Sequence, residues 1–169
     1  MRTDGTAVRV HGDDLDTDVM YPGAFLNIED PAEMASHLFE GFDPSLRERL
    51  EGDTILVVDR NFGIGSSREH VLVAMKASGV RGIVGKSFAR IFFRNAVNLG
   101  LPLFASVTVP AAVADGERVE LDLAAGRLVA GGRELALPPL APFVVAILEA
   151  GGIAAYVRRH GRFPEGRDE

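Results

Sequence analysis

The alternation of apolar and polar positions divides the chain into short, clearly marked elements. TAVRVHG (6–12) alternates and predicts a half-buried strand. PAEMASHLF (31–39) opens with Pro31 at a first helical position and sets Met34, Leu38 and Phe39 on one side, which predicts a helix. SLRERL (45–50) reads as a short polar helix, and TILVVD (54–59) is an almost unbroken apolar run, the pattern of a strand covered on both faces. A glycine turn follows, then a helix expected from about Ser67 to Ser78, apolar nearly all round and stopped by Gly79. VRGIVGK (80–86) predicts a further strand, with Ser87 as N-cap of a helix over FARIFFRNAVNL that Gly100 ends, and LPLFAS (101–106) another. Residues 54–106 thus read strand–helix–strand–helix–strand, a parallel, right-handed unit. After Pro110, ERVELDL, LVA and RELAL are separated by glycine turns and predict a small antiparallel meander. PFVVAILEAGG and IAAYVRRH predict one or two closing helices, and FPEGRDE (163–169) a frayed tail. No linker, repeat or low-complexity tract divides these parts, so the expectation is one α/β domain with mixed strands over residues 1–169.

Composition narrows the function classes. The 169 residues are 47% hydrophobic, enough for a sizeable core and against disorder. A net charge of −6 argues against a general nucleic-acid binder, and no run approaches the ~18 apolar residues of a membrane span. MRTDGTAVRVHGDD lacks the apolar stretch of a signal peptide, so the cytoplasm is the expected compartment. There is no cysteine, which excludes disulfides, a thiolate nucleophile and any cysteine-held zinc or iron–sulfur cluster within this chain. His11, His37, His70 and His160 have no metal-ligand spacing between them, so no metal site is expected. Charge is unevenly placed. Residues 61–100 hold Arg68, Lys76, Arg81, Lys86, Arg90 and Arg94 against Glu69 alone, a net +5, so the rest of the chain carries −11. A local positive field in an acidic protein suits a small anionic ligand, although long basic stems also serve simply to cover helix surfaces.

The chemistry concentrates in NFGIGSSREH (61–70). A glycine turn between strand and helix brings backbone N–H groups close to a ligand, and the helix N-terminus adds about half a positive charge. Ser66 with Glu69 also fits the capping-box pattern, and the local pattern alone favours that cap over a reactive serine. Other readings fail on spacing: the order G-I-G-S-S-R is not a nucleophile elbow, no lysine completes a phosphate loop, and the dinucleotide fingerprint is not met. DLDTDV (14–19) begins like a calcium loop, but its sixth position is Val19 and its twelfth is Phe25.

NFGIGSSREH, KSFARIFFRNAVNLGLPLF (86–104) and DLDTDVMYPGAFL (14–26), with EAGGIAAYV (149–157) near the end, together resemble the small subunit of the aconitase superfamily, nearest to the two-subunit 3-isopropylmalate dehydratases and homoaconitases. The resemblance covers nearly the whole chain. It implies a swivelling β/β/α domain like the aconitase C-terminal domain, with a specificity loop over about 13–30. It further implies a hydro-lyase that removes and re-adds water on a substituted malate, a di- or tricarboxylate, through an alkene. The partner would be a cysteine-bearing large subunit holding a 4Fe–4S cluster, and the present chain alone would be inactive. On this resemblance Ser66 is the base, acting as an alkoxide. Arg68 grips a substrate carboxylate, where a two-pronged guanidinium suits it, and Ser67 is a second substrate-contacting hydroxyl. Asp16, Thr17 and Asp18 belong to a loop near the site, where an Asx-type turn is the plainer role. His70 is expected to pack or to give a supporting hydrogen bond, and Arg90 and Arg94 to serve structure or an interface. Two positions depart from the pattern. Ile64 stands where many small subunits have Cys. Asn27 stands where relatives carry Arg with an extra substrate carboxylate or an apolar residue with an alkyl group. Homoaconitase, another alkylmalate dehydratase and a non-catalytic anion-binding paralogue are therefore the alternatives.

Overall fold

A computed structural model of the chain describes residues 1–50 and 52–164; residues 165–169 of the expected tail lie outside the described residues. Its centre is one seven-stranded mixed sheet with strand order β4-β3-β2-β1-β5-β6-β7. Strand β1 (Arg2–Val10) runs parallel to β2 (Thr54–Val58), which runs parallel to β3 (Val80–Gly85), and β3 to β4 (Leu103–Ala105). On its other edge β1 pairs antiparallel with β5 (Arg118–Asp122), and β6 (Arg127–Ala130) and β7 (Arg133–Ala136) complete the expected meander. The first strand is thus longer than its alternating core predicts, and it joins the parallel and antiparallel halves. Helices α1 (Thr17–Met20), α2 (Pro31–Ser36), α3 (Glu69–Ala77), α4 (Arg90–Asn98), α5 (Val109–Ala112), α6 (Pro142–Ala150) and α7 (Ile153–His160) fill the connections. SLRERL forms part of a 3-10 turn, Pro44–Arg49, in place of a helix.

All five residues of β2 are buried, as a strand covered on both faces must be. Leu56 and Val58 join Val8, Val10 and Ile83 against α2, α3 and the buried face of α4. Ile55 and Val57 join Ala7, Val84, Val119, Leu121 and Leu128 against α6 through Val144, Ile147 and Leu148. Each face therefore has its own apolar cluster, and the period-two geometry of strands assigns residues to one or the other. Gly151, in the left-handed region at φ 89°, separates α6 from α7.

Two helix starts differ from the sequence expectation. Helix α3 begins at Glu69, not Ser67, and its N-cap position is Arg68, with no side-chain cap. Helix α4 is preceded by Ala89 at the N-cap; Ser87 lies two residues further back and its Oγ accepts a hydrogen bond from the Asn61 N–H at 2.8 Å. Both serines are spent on the glycine turn, not on a helix end.

Candidate active site

The parallel strands β1, β2 and β3 end side by side, at Val10, Val58 and Gly85. Their continuations, residues 11–18, 59–67 and 86–89, are laced together beyond the sheet. Asp14 N–H donates to the Arg60 carbonyl, Gly63 N–H to the Leu15 carbonyl and Thr17 N–H to the Ile64 carbonyl. On the opposite side Phe62 N–H donates to the Ser87 carbonyl and Ala89 N–H to the Phe62 carbonyl. The glycine turn is therefore the middle of three extended segments, placed where open parallel sheets bind ligands, outside the carboxyl ends of their strands.

The two glycines are required by contact and by backbone. Gly63 sits at φ 86°, and a Cβ there would lie 2.2 Å from the Phe92 ring of α4; Gly65 sits at φ 89°, and its Cβ would lie 2.2 Å from Asp16 Oδ1. Both φ values strain any other residue. The Asp16 carboxylate that presses on Gly65 also caps α1, accepting from Asp18 N–H at 2.8 Å. Thr17 is buried, its Oγ1 donating to the Ile64 carbonyl and accepting from Ser67 N–H, each at 3.1 Å. Asp16 and Thr17 thus clamp the turn, and Asp18 emerges from the clamp toward Ser66.

Ser66 is exposed and its hydroxyl donates to Asp18 Oδ1 at 2.8 Å. The capping box with Glu69 is not formed. Ser67 takes a left-handed φ of 44°, shifting the start of α3 forward and leaving Ser66 outside the helix. Ser67 itself is 3% exposed, its hydroxyl donates to the Gly63 carbonyl at 2.8 Å, and its carbonyl accepts from Asn95 Nδ2 at 2.7 Å. Its hydroxyl is held inside the turn, beneath the exposed Ser66 and Arg68. Arg68 is exposed, and its guanidinium has no hydrogen-bond or ion-pair partner among the described residues.

Beside them lies a notch lined by Thr17, Asp18, Tyr21, Gly23, Leu26, Arg68, His70 and Val71. Tyr21, Leu26 and Val71 give it an apolar wall. Its volume is about 10 Å³, which holds about one water. Tyr21 stays a neutral phenol, since burial and then Glu33 push its hydroxyl up from the ordinary value, and it donates to the Phe25 carbonyl at 3.0 Å. His70 stacks against Tyr21 with ring centres 6.0 Å apart. Its Nδ1 is buried without a hydrogen-bond partner among the described residues. Asn27 is exposed and does not line the notch; Leu26, the residue before it, does. Sequence reasoning missed Leu26 and Tyr21, although both lie inside the DLDTDVMYPGAFL stretch that pointed to the loop. Among the described residues no group of three or more His, Asp and Glu is placed to hold a metal ion, and the chain has no Cys. A 4Fe–4S cluster does not fit this chain's own side chains.

Comparison with known proteins identifies the fold and the family. Residues 40–106 match the aconitase C-terminal domain. The 3-isopropylmalate dehydratase small subunit 1 of Methanopyrus kandleri is 47% identical over 154 residues, 90% of this chain and 91% of that one. The 2,3-dimethylmalate dehydratase small subunit of Eubacterium barkeri is 40% identical over 159 residues, 93% of this chain and 97% of that one. The crystal structure of 3-isopropylmalate dehydratase from Methanocaldococcus jannaschii superposes with a TM-score of 0.87 at 36% identity, covering 95% of this chain and 96% of that one. The chain belongs to the family of 3-isopropylmalate dehydratase small subunits, whose domain is that of the aconitase C-terminus.

Proposed function

We propose that this chain is the small subunit of an alkylmalate hydro-lyase and supplies half of its active site. The carrying observation is the pairing of an exposed Ser66 hydroxyl with Asp18, beside the unpaired guanidinium of Arg68, at a notch of only about 10 Å³. A notch that holds about one water cannot enclose a small acid, so a second surface has to. That surface is assigned to a cysteine-bearing large subunit holding the 4Fe–4S cluster, which as a Lewis acid would take the departing hydroxyl. The swivelling of this domain over its partner belongs to the same proposal, as does the cytoplasm as its compartment.

The residues divide the remaining work. Arg68 holds a substrate carboxylate by two parallel N–H bonds, which fixes the α-carbon near Ser66 and offsets the charge that develops as the proton leaves. A serine hydroxyl is a weak base at neutral pH. Here its own proton already points at Asp18. Ser66 can take the substrate proton while passing its hydroxyl proton to the Asp18 carboxylate, and rehydration runs the two transfers backwards. A free alkoxide, which the family resemblance suggested, then need not accumulate. Ser67 and Thr17 keep the turn in shape. Leu26, part-exposed at the rim of the notch, suits an alkyl substituent better than an extra carboxylate, and no cation stands in the 21–28 segment to meet one. 3-Isopropylmalate is the first candidate and other alkylmalates follow.

The test is anaerobic mixing with the cognate large subunit and a panel of 3-isopropylmalate, 2,3-dimethylmalate and a tricarboxylate homologue, following alkene absorbance. Turnover of an alkylmalate in preference to the tricarboxylate is expected. Preference for the tricarboxylate would overturn the substrate reading, and no turnover of any of them would overturn the activity.

A further inference from the structure

Helix α4 has two working faces. Phe92 lies beneath Gly63 and Asn95 reaches the Ser67 carbonyl, so one face supports the glycine turn. Arg90, Phe93, Arg94, Val97 and Asn98 form another, and with Phe143, Val144 and Ile147 of α6 they line a groove of about 220 Å³. Its floor is apolar. Phe143, one of its lining residues, is 41% exposed, and Ile91, next to Arg90 in the α4 sequence, is 57% exposed. Apolar surface of this kind beside a functional segment marks an interaction surface.

The charges over the groove are uncompensated. Arg90 and Arg94 stand one helical turn apart, a spacing at which like charges destabilise a helix. Neither has an ion-pair or hydrogen-bond partner among the described residues, although the chain is acidic overall at −6. Three other basic side chains of the same segment are neutralised or capped, Lys86 by Asp59, Arg81 by Asp53 and Lys76 by the Leu99 carbonyl, which leaves Arg68 at the turn as the segment's further open cation among the described residues. An occupant with carboxylates over the arginines and an apolar side chain between them answers both features.

We propose that the α4–α6 groove docks the large subunit, accepting one of its apolar side chains flanked by acidic residues. The inference rests on the two-subunit reading above. Proximity favours this occupant, since the helix lining the groove supports, through Phe92 and Asn95 on its other face, the turn that the large subunit must reach. A second copy of this chain is disfavoured by symmetry. An isologous contact centred on the groove would set Arg90 and Arg94 against their own equivalents.

The test measures binding of cluster-loaded large subunit to wild-type chain, to Arg90→Glu/Arg94→Glu and to the milder Arg90→Gln/Arg94→Gln, by a fluorescent label and independently by turnover during titration. Charge reversal is expected to weaken binding at least about tenfold at low salt, with the neutral pair in between and a shallower salt dependence in both. At saturating small subunit, kcat stays within about twofold, because neither arginine touches substrate. Far-UV circular dichroism and melting of each variant report folding. Unchanged affinity in folded variants, with wild type assembling and turning over, overturns the docking site and leaves the function standing. Failure of the wild-type chain to assemble overturns both. Self-association of the wild-type chain that charge reversal abolishes would assign the groove to a second copy instead.

Discussion

Gly65→Ala is the sharpest probe of how the turn is built. The φ of 89° costs a non-glycine residue about 1–2 kcal/mol. The new Cβ would also lie 2.2 Å from Asp16 Oδ1, so Asp16 has to leave its place as cap of α1. Loss of an N-cap costs about 1 kcal/mol, so the whole change comes to roughly 2–3 kcal/mol. For a chain of this length that lowers Tm by very roughly 5–10 °C. Gly116→Ala is the control: its φ is 79°, but nothing lies within 4 Å of its Cβ, so only the backbone cost applies. Urea unfolding of the isolated chain, fitted with a common m value, gives both numbers. Gly65→Ala should exceed Gly116→Ala by about 1 kcal/mol or more. It should also lose activity in the reconstituted complex, because Asp18 rides on the helix that Asp16 caps. Equal destabilisation of the two variants would refute the claim that Asp16 is seated against Gly65.

Three further outcomes follow from the same geometry. Asn95→Asp removes the donor to the Ser67 carbonyl, which should cut kcat about 10-fold or more near neutral pH with large-subunit affinity unchanged, the price of leaving a part-buried carbonyl unpaired being about 1–3 kcal/mol. Because a protonated carboxyl can donate in its place, its activity relative to wild type should climb as pH falls toward about 4, whereas Asn95→Ala stays at a constant ratio. Arg68→Lys keeps the charge and loses the two-pronged grip, so kcat/KM should fall about 10- to 100-fold in steady-state assays. The Lys86 ammonium and the Gly12 N–H hold the Asp59 carboxyl below its ordinary range, so its contribution to stability is present above the unfolded carboxylate pKa and is lost as pH falls through the lower folded value. Urea midpoints between pH 6 and pH 3 should therefore drop less for Asp59→Asn than for wild type.

Much of the framework could be read from the chain. The apolar run 54–59 is buried on both faces, the strand–helix alternation gives the parallel unit, and the glycine-punctuated stretch after Pro110 gives the meander. Each depends on periodicity, which is local. Pairing partners are not local, and nothing in TAVRVHG says that this strand would seat between β2 and β5. The site divides in the same way. The glycines and the hydroxyls announced a turn at 61–67, but S-x-x-E pointed to a cap, and the left-handed Ser67 moved the helix start two residues on. The Ser66–Asp18 hydrogen bond spans 48 residues of sequence, and the support from Ser87 and Asn95 comes from a third segment. Only the lacing of three strand ends brings them together. The burial of Ser67 and its hydrogen bond to the Gly63 carbonyl were likewise not legible in S-S-R, since both follow from the fold of the turn.

The most direct measurement is turnover by Ser66→Ala in the anaerobically reconstituted complex, with subunit affinity measured on the same samples. Removal of a group that takes the substrate proton should cut kcat about 10²- to 10⁴-fold with subunit affinity intact. A variant that turns over within a few-fold of wild type would take Ser66, and with it the half-site assigned to this chain, out of the reaction.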